Sequence, residues 1–151
     1  MGFHPVPLPS ESSLSMLVRY QTEFSSAHRL RRADWDEARN HEVFGPCARC
    51  HGHNYGLEVT VDGPVQEDRG MVMDFQELAK HVQRRLLDLV DHRDLDKDVP
   101  FLQGILTTAE NLLIEFWKQL ADGLPVGVRL HAISLRETRD FTCTYYGPEH
   151  A

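Results

Sequence analysis

The stretch HGHNYGLEVTVD, residues 51–62, decides the fold because apolar and polar side chains alternate along it. Successive residues of a β-strand point to opposite faces, so the sequence predicts a half-buried strand with Tyr55 and Leu57 on its apolar face. His51 and His53 fall on that same face, at the start of the strand. Two imidazoles that project together from one strand end form a candidate metal-binding pair.

A second strand is predicted upstream, over residues 16–28, and its more apolar face ends at His28. If the two strands pair in antiparallel fashion, the end of the first lies beside the start of the second. We therefore expect His28 next to His51 and His53. One such histidine alone would ordinarily be a hydrogen-bonded core residue, but three that converge with no fourth protein ligand indicate a catalytic zinc site with one open position.

The composition is that of a single globular domain, because 151 residues are enough to bury a substantial core. The net charge of −7 argues against a general nucleic-acid binder. No apolar run is long enough for a membrane span, so we expect no membrane contact. Residues 1–15 are proline-rich and lack the features of a secretory signal, which predicts a flexible tail before a domain over 16–151 and a cytoplasmic location.

Two helices are predicted after the first two strands. Asp74 begins one that ends at Asp91, and Thr107 with Glu110 begins another that ends before Gly123. Residues 29–50 are expected to form a long loop, and strands follow over 127–137 and 140–146. The order strand-strand-helix-helix-strand-strand predicts an α+β fold, with two helices on one face of an antiparallel sheet. The free edges of such a sheet favour association with further copies of the chain.

The segment Cys47-Ala-Arg-Cys50-His51 allows several interpretations. It matches a haem attachment signal, although that chemistry normally follows export. Cys47 and Cys50 could instead form a redox pair, or with His51 and His53 they could close a structural zinc site. The interpretation we prefer leaves the metal to the histidines and leaves the Cys47 thiol for acid–base or nucleophilic chemistry.

Two further groups of polar residues near these motifs have alternative explanations. Asp91-His92 is either a helix end that favours a histidine or an acid–base pair in which the carboxylate holds the imidazole tautomer. Three arginines follow closely after His28: Arg29, Arg31 and Arg32. They either lie on a solvated loop without a further role or attract an anionic substrate.

Taken in order, the motifs of residues 16–147 resemble the 6-pyruvoyl-tetrahydropterin synthase family, which includes the 6-carboxy-5,6,7,8-tetrahydropterin synthases. The motifs are FSSAHRL (24–30), CxxxHGHNY (47–55), GMVMDF (70–75), DH (91–92), TAEN (108–111) and ET (137–138). The resemblance implies the tunnelling fold (T-fold), in which the sheets of three subunits close into a barrel. It also implies a homohexamer of two stacked trimers, with active sites between subunits.

The same resemblance implies a pterin triphosphate as substrate and roles for particular side chains. Zn²⁺ would be bound by His28, His51 and His53, catalysis would involve Cys47, Asp91 and His92, and the pterin ring would be held by Glu137, with Glu110 as a second contact. Two positions depart from the family pattern. Cys50 has no counterpart in it, and Ala109 stands where a hydroxyl residue is usual.

Cys47 lies four residues before His51, a spacing that resembles the bacterial carboxy branch of the family. That branch implies a zinc-dependent lyase that converts 7,8-dihydroneopterin triphosphate to 6-carboxy-5,6,7,8-tetrahydropterin, with release of acetaldehyde and triphosphate, in queuosine biosynthesis. The alternative within the family is 6-pyruvoyl-tetrahydropterin synthase, which eliminates triphosphate. If the protein is not an enzyme, the alternative function is that of a non-catalytic structural zinc module.

Overall fold

The structure is a computed structural model that describes residues 15–150. The predicted tail therefore lies outside the described residues except for Ser15, which opens the first strand. The strands are β1 (Ser15–His28), β2 (His51–Pro64), β3 (Arg93–Asp94), β4 (Arg129–Arg136) and β5 (Thr142–Tyr145). The helices are α1 (Glu37–Phe44), α2 (Phe75–Val82), which continues through a π-helical segment (Gln83–Leu87) into α3 (Asp88–Val90), and α4 (Ala109–Ala121).

The five strands form one sheet in the order β3-β1-β2-β4-β5. β1 and β2 pair in antiparallel fashion along their whole lengths, from Ser15 opposite Pro64 to His28 opposite His51. β2 with β4 and β4 with β5 are also antiparallel. The predicted strand pairing is thus confirmed, with one addition: the two-residue β3 pairs in parallel with the end of β1.

The core lies between one face of this sheet and the helices, as predicted. Sheet residues of the core alternate along each strand because only every second side chain faces the helices. The central core side chains from the sheet are Phe24, Tyr55, Leu57, Val59, Ile133 and Leu135, and those from the helices are Leu78, Leu86, Leu112 and Phe116. No helix within residues 15–150 has the length and hydropathy that a membrane crossing needs.

The segment 29–50, predicted as a loop, contains α1 and a 3₁₀ turn (Gly45–Ala48). Asp36 begins α1, because its carboxylate accepts a hydrogen bond from the N–H of Arg39 at 2.8 Å. The buried Asn40 side chain accepts from the N–H of Arg32 at 2.8 Å and donates to the Asp36 carbonyl at 3.0 Å. The polar residue Asn40 thus organises this segment, and for that reason the hydrophobic periodicity of the sequence does not indicate helix α1.

The observed start of α2 agrees with the start predicted from the sequence, whereas the observed start of α4 differs from the predicted one. Asp74 caps α2 as predicted, because its carboxylate accepts from the N–H of Gln76 at 2.8 Å. The cap of α4 is Thr108, whose hydroxyl accepts from the N–H of Asn111 at 3.3 Å. The predicted cap, Thr107, is wrong by one residue. Thr107 is fully buried and makes its hydrogen bonds at the candidate site instead.

Asp62 joins three strands at the end of the sheet opposite the histidines. Its carboxylate accepts from the Ser15 hydroxyl at 2.5 Å and from the Arg129 guanidinium at 2.8 Å. These two hydrogen bonds, the Ser15 bond first, hold the pKa of the Asp62 carboxyl below its usual range. A carboxylate whose pKa is lower in the folded chain stabilises the fold above its unfolded pKa, and that stabilisation is lost as the pH falls through the folded pKa.

We expect Asp62→Asn to lower the free energy of unfolding at pH 7 by about 1–3 kcal/mol. The Ser15 hydroxyl and the Arg129 guanidinium would then lose the negatively charged acceptor of their hydrogen bonds. The difference from the unaltered protein should begin to shrink below about pH 4, where the carboxyl protonates in the unfolded chain, and should be lost as the pH falls through the lower pKa of the folded chain. Urea unfolding at pH 7 and at acid pH measures both values. Asp140→Asn, at an exposed position, is the matched control. An equal loss at both pH values would contradict the assigned role of the carboxylate.

Candidate metal centre and active site

The three histidines of the sequence pattern meet at the end of the β1–β2 pair. His28 lies opposite His51 and Ser26 lies opposite His53, so all three imidazoles project from the helix-covered face. One nitrogen from each ring lies within 4.8 Å of the other two, and the group could hold a metal ion. The His28 and His51 ring centroids are 4.7 Å apart, and those of His51 and His53 are 4.9 Å apart.

Backbone carbonyls determine the tautomers of two of these rings. His28 Nδ1 lies 2.9 Å from the Thr107 carbonyl oxygen, and His51 Nδ1 lies 2.7 Å from the Arg49 carbonyl oxygen. A carbonyl only accepts, so both Nδ1 atoms carry the proton and both Nε2 atoms keep a lone pair. The Tyr55 hydroxyl, 3.3 Å from His28 Nε2, is then the donor in that contact. Burial raises the pKa of Tyr55, so the hydroxyl stays protonated and able to donate.

The donor set fits a zinc ion. His53 Nε2 is a buried side-chain nitrogen that has no hydrogen-bond partner within the described chain, which is uncommon for a buried polar atom. Burial first, with His51 adding, lowers the pKa of His28 and of His53, although the negative charge of Glu137 opposes the shift. Neutral imidazoles with available lone pairs are the form that ligates Zn²⁺, and three of them leave one position open.

Two residues without a site role predicted from the sequence support His28. The Thr107 hydroxyl lies 3.2 Å from His28 Nδ1 and donates to Asp96 Oδ1 at 2.9 Å. Asp96 Oδ2 accepts from the N–H of Arg29 at 2.7 Å. The Thr107–His28 contact spans 79 positions in the chain, so no local motif could have revealed it.

Cys47 lies on the 3₁₀ turn that precedes β2. Its carbonyl accepts from the N–H of Leu30 at 2.7 Å, which holds the turn against the chain two residues beyond His28. Cys47 is half-buried and Cys50 is exposed. The backbone therefore places the predicted catalytic cysteine beside the strand ends that carry the histidines.

Asp91 and His92 lie at the outer edge of β1. Asp91 Oδ1 accepts from His92 Nδ1 and from the N–H of Ser25, each at 2.9 Å. The Ser25 bond is the main cause that lowers the pKa of Asp91. His92 adopts a left-handed φ of 58°, and its side chain is 82% exposed. Within residues 15–150, no hydrogen bond links either residue to the Cys47 thiol.

The two glutamates predicted to contact the pterin lie on the same side of the sheet as the histidines. Glu137 Oε1 is 3.7 Å from His53 Nε2. Burial raises the pKa of the Cys143 thiol on β5, and the negative charges of Glu110 and Glu137 raise it further. Ala109, the first residue of α4, is buried.

The three arginines predicted to attract an anion line a groove that also contains Asp96 and Leu106. Arg31 pairs with Glu37 at 2.7 Å, and Arg32 pairs with Asp34 at 2.9 Å. These ion pairs partly neutralise the positive charge of the groove. A contact between the arginines and a substrate phosphate stays a prediction.

Comparison with known proteins agrees with this arrangement. The sequence model of the family described as 6-pyruvoyl tetrahydropterin synthase matches residues 17–148. The 6-pyruvoyl tetrahydrobiopterin synthase of Dictyostelium discoideum is 38% identical over 135 residues, which are 89% of this chain and 98% of that protein. A putative 6-carboxy-5,6,7,8-tetrahydropterin synthase of Archaeoglobus fulgidus is 29% identical over 125 residues, 83% of this chain and 90% of that protein.

The fold agrees as well. The solved structure of Caenorhabditis elegans 6-pyruvoyl tetrahydropterin synthase superposes with a TM-score of 0.81 at 36% identity, covering 88% of this chain and 96% of that one. The expected T-fold, with its sheet covered on one face by helices, is thereby confirmed. The sequence, the fold and the convergent histidines together show that the chain belongs to the 6-pyruvoyl tetrahydropterin synthase family of pterin-forming enzymes.

Proposed function

We propose that this protein is a zinc-dependent 6-pyruvoyl-tetrahydropterin synthase, which eliminates triphosphate from 7,8-dihydroneopterin triphosphate. The observation that supports the proposal is the sequence identity to known relatives. The chain is 38% identical to a 6-pyruvoyl synthase and 29% identical to a putative 6-carboxy synthase. The carboxy reaction, which the spacing of Cys47 and His51 favours, is the second candidate. Similarity over most of the chain weighs more than the spacing of a single pair of residues.

The proposed metal ligands are His28, His51 and His53. Zn²⁺, when bound, supplies Lewis-acid chemistry to the hydroxyl groups of the substrate side chain. The protein contributes fixed tautomers, because the Thr107 and Arg49 carbonyls hold the Nδ1 protons of His28 and His51. It also contributes a largely buried setting, in which His28 is only 1% exposed.

Cys47 is the proposed acid–base group that moves protons on the substrate side chain, and His92 is its counterpart. Asp91 accepts from His92 Nδ1, so the opposite ring nitrogen, Nε2, is available for proton transfer. The His92 ring is exposed at the sheet edge and makes no hydrogen bond with Cys47 within residues 15–150. This arrangement supports an active site between subunits of a homohexamer, with Cys47 from one subunit and Asp91 and His92 from its neighbour.

Glu137 and Glu110 are the proposed pterin contacts. A carboxylate accepts two hydrogen bonds side by side, which matches the adjacent amino and ring N–H groups of a pterin. The position of Glu137, 3.7 Å from His53, would hold the ring beside the proposed metal centre. The substrate side chain would then extend from the ring toward the histidines.

Mass spectrometry of the products tests the proposed reaction. We expect zinc-loaded protein, incubated without oxygen with 7,8-dihydroneopterin triphosphate, to yield 6-pyruvoyl-tetrahydropterin and triphosphate. Cys47→Ala should retain zinc and fold but lose at least about 100-fold in turnover, the lower range for a lost acid–base group. Cys50→Ala is the matched control and should remain active. A carboxypterin with acetaldehyde would assign the second candidate, and unchanged substrate with folded, zinc-bound protein would reject both reactions.

Complementation tests the shared site. Cys47→Ala and His92→Ala should each be inactive, whereas co-expressed mixed oligomers should recover about a quarter of wild-type activity, because random pairing joins two intact halves at one site in four. Mixing Cys47→Ala with the Cys47→Ala/His92→Ala double variant provides the control, since no intact Cys47 is then present. Isolated mixed oligomers without activity would show that the site is not divided in this way.

A further inference from the structure

Asp96 connects the two chain segments that enclose His28. One carboxylate oxygen, Oδ2, accepts from the N–H of Arg29, the residue that directly follows His28. The other, Oδ1, accepts from the Thr107 hydroxyl. Asp96 is half-buried, whereas Thr107 and His28 are buried. A single side chain thus fixes the backbone after His28 and the residue against which its ring packs.

The polarity of these hydrogen bonds is determined by their donors. The Arg29 N–H can only donate, and the Asp96 carboxylate can only accept, so the single proton of the Thr107 hydroxyl points toward Asp96. The hydroxyl oxygen therefore presents a lone pair to His28 Nδ1 at 3.2 Å, beside the Thr107 carbonyl at 2.9 Å. Two acceptors face the same ring nitrogen, which places the ring proton there.

We propose that Asp96 and Thr107 are positioning residues that hold His28 in the Nδ1-protonated tautomer and so prepare its Nε2 atom for metal binding. This inference rests on the proposed zinc site and assigns the residues that support one of its ligands. Outer hydrogen-bond partners of ligating histidines fix the tautomer and the ring orientation, and their loss weakens metal binding about 10- to 100-fold. The Tyr55 contact is compatible with the same tautomer, because its hydroxyl can donate to His28 Nε2.

Substitution of Asp96 by Asn should reverse this polarity. The Arg29 N–H still needs an acceptor and would take the amide oxygen, so the amide NH₂ would face Thr107. The Thr107 hydroxyl would then accept from the amide and direct its proton at His28 Nδ1, which favours the tautomer protonated on Nε2. That tautomer has no lone pair at Nε2 for a metal.

The experiment uses the 151-residue chain and measures two quantities. The first is the zinc dissociation constant, from competition with a chelator. The second is the tautomer of His28 in metal-free protein at a pH where the imidazole is neutral, from its ¹⁵N chemical shifts. We expect Asp96→Asn and Thr107→Val to weaken zinc binding by about 10- to 100-fold. Asp96→Asn should also lower the Nδ1-protonated fraction of His28, and Thr107→Val, which keeps the Thr107 carbonyl, should lower that fraction less. Thr107→Ser, which keeps the hydroxyl, should restore both values.

Two matched controls separate this role from general stability. Asp98→Asn makes the same change in the same loop, where the Asp98 carboxylate accepts from the N–H of Asp94. Thr108→Val removes the cap of α4 and should lower the unfolding temperature. Neither should change the zinc dissociation constant. If Asp96→Asn does not fold, Thr107→Val and Thr107→Ser decide the question.

An unchanged zinc dissociation constant in folded Thr107→Val would overturn the inference, as would a weakening of equal size in Asp98→Asn. The product assay keeps this result separate from the proposed function. Product formation by wild-type protein, together with unchanged zinc binding in Thr107→Val, rejects the positioning role alone. Zinc binding that depends on Asp96 and Thr107 in a protein that forms no pterin product keeps the positioning role and rejects the reaction.

Discussion

The antiparallel register of β1 and β2 is the constraint on which the rest of the structure depends. It runs without interruption from Ser15 opposite Pro64 to His28 opposite His51. A shift of one residue would turn every side chain of one strand to the other face of the sheet. The same register buries Phe24 against Tyr55 beneath the helices and brings His28 beside His51 and His53. Burial of the core therefore enforces the geometry of the candidate metal centre.

The histidines also need support from outside the β1–β2 pair. Arg49, whose carbonyl accepts from His51, lies in the segment before β2. Thr107, whose carbonyl accepts from His28, directly precedes the cap of α4. Glu137 reaches His53 from the end of β4. Because each supporting group is attached to a packed element, the rings are held before any ligand arrives. Such preorganisation is what a metal centre needs for a defined coordination geometry.

The sequence predicted the elements whose pattern is local. Alternation along residues 51–62 is visible in a short window, and it sufficed to place two histidines on one face and to expect the third. The role of Thr107 was not predictable, because a threonine before a helix is read as a cap and its actual partners, His28 and Asp96, are distant in sequence. Helix α1 was missed because the polar side chain of Asn40, not an apolar stripe, organises its segment. The spacing of Cys47 and His51 favoured the carboxy branch of the family, whereas identity over most of the chain favours the pyruvoyl branch, which the spacing of two residues does not reflect.

X-ray absorption spectroscopy of zinc-loaded protein is the most direct test of the central claim that three histidines form a catalytic metal centre. We expect one zinc ion per chain with nitrogen and oxygen ligands only, because His28, His51 and His53 leave the fourth position to a non-protein ligand. Cys47→Ala should leave the spectrum unchanged. Sulfur ligands at about 2.3 Å would contradict the account, because they would place Cys47 or Cys50 on the metal and indicate a structural zinc module.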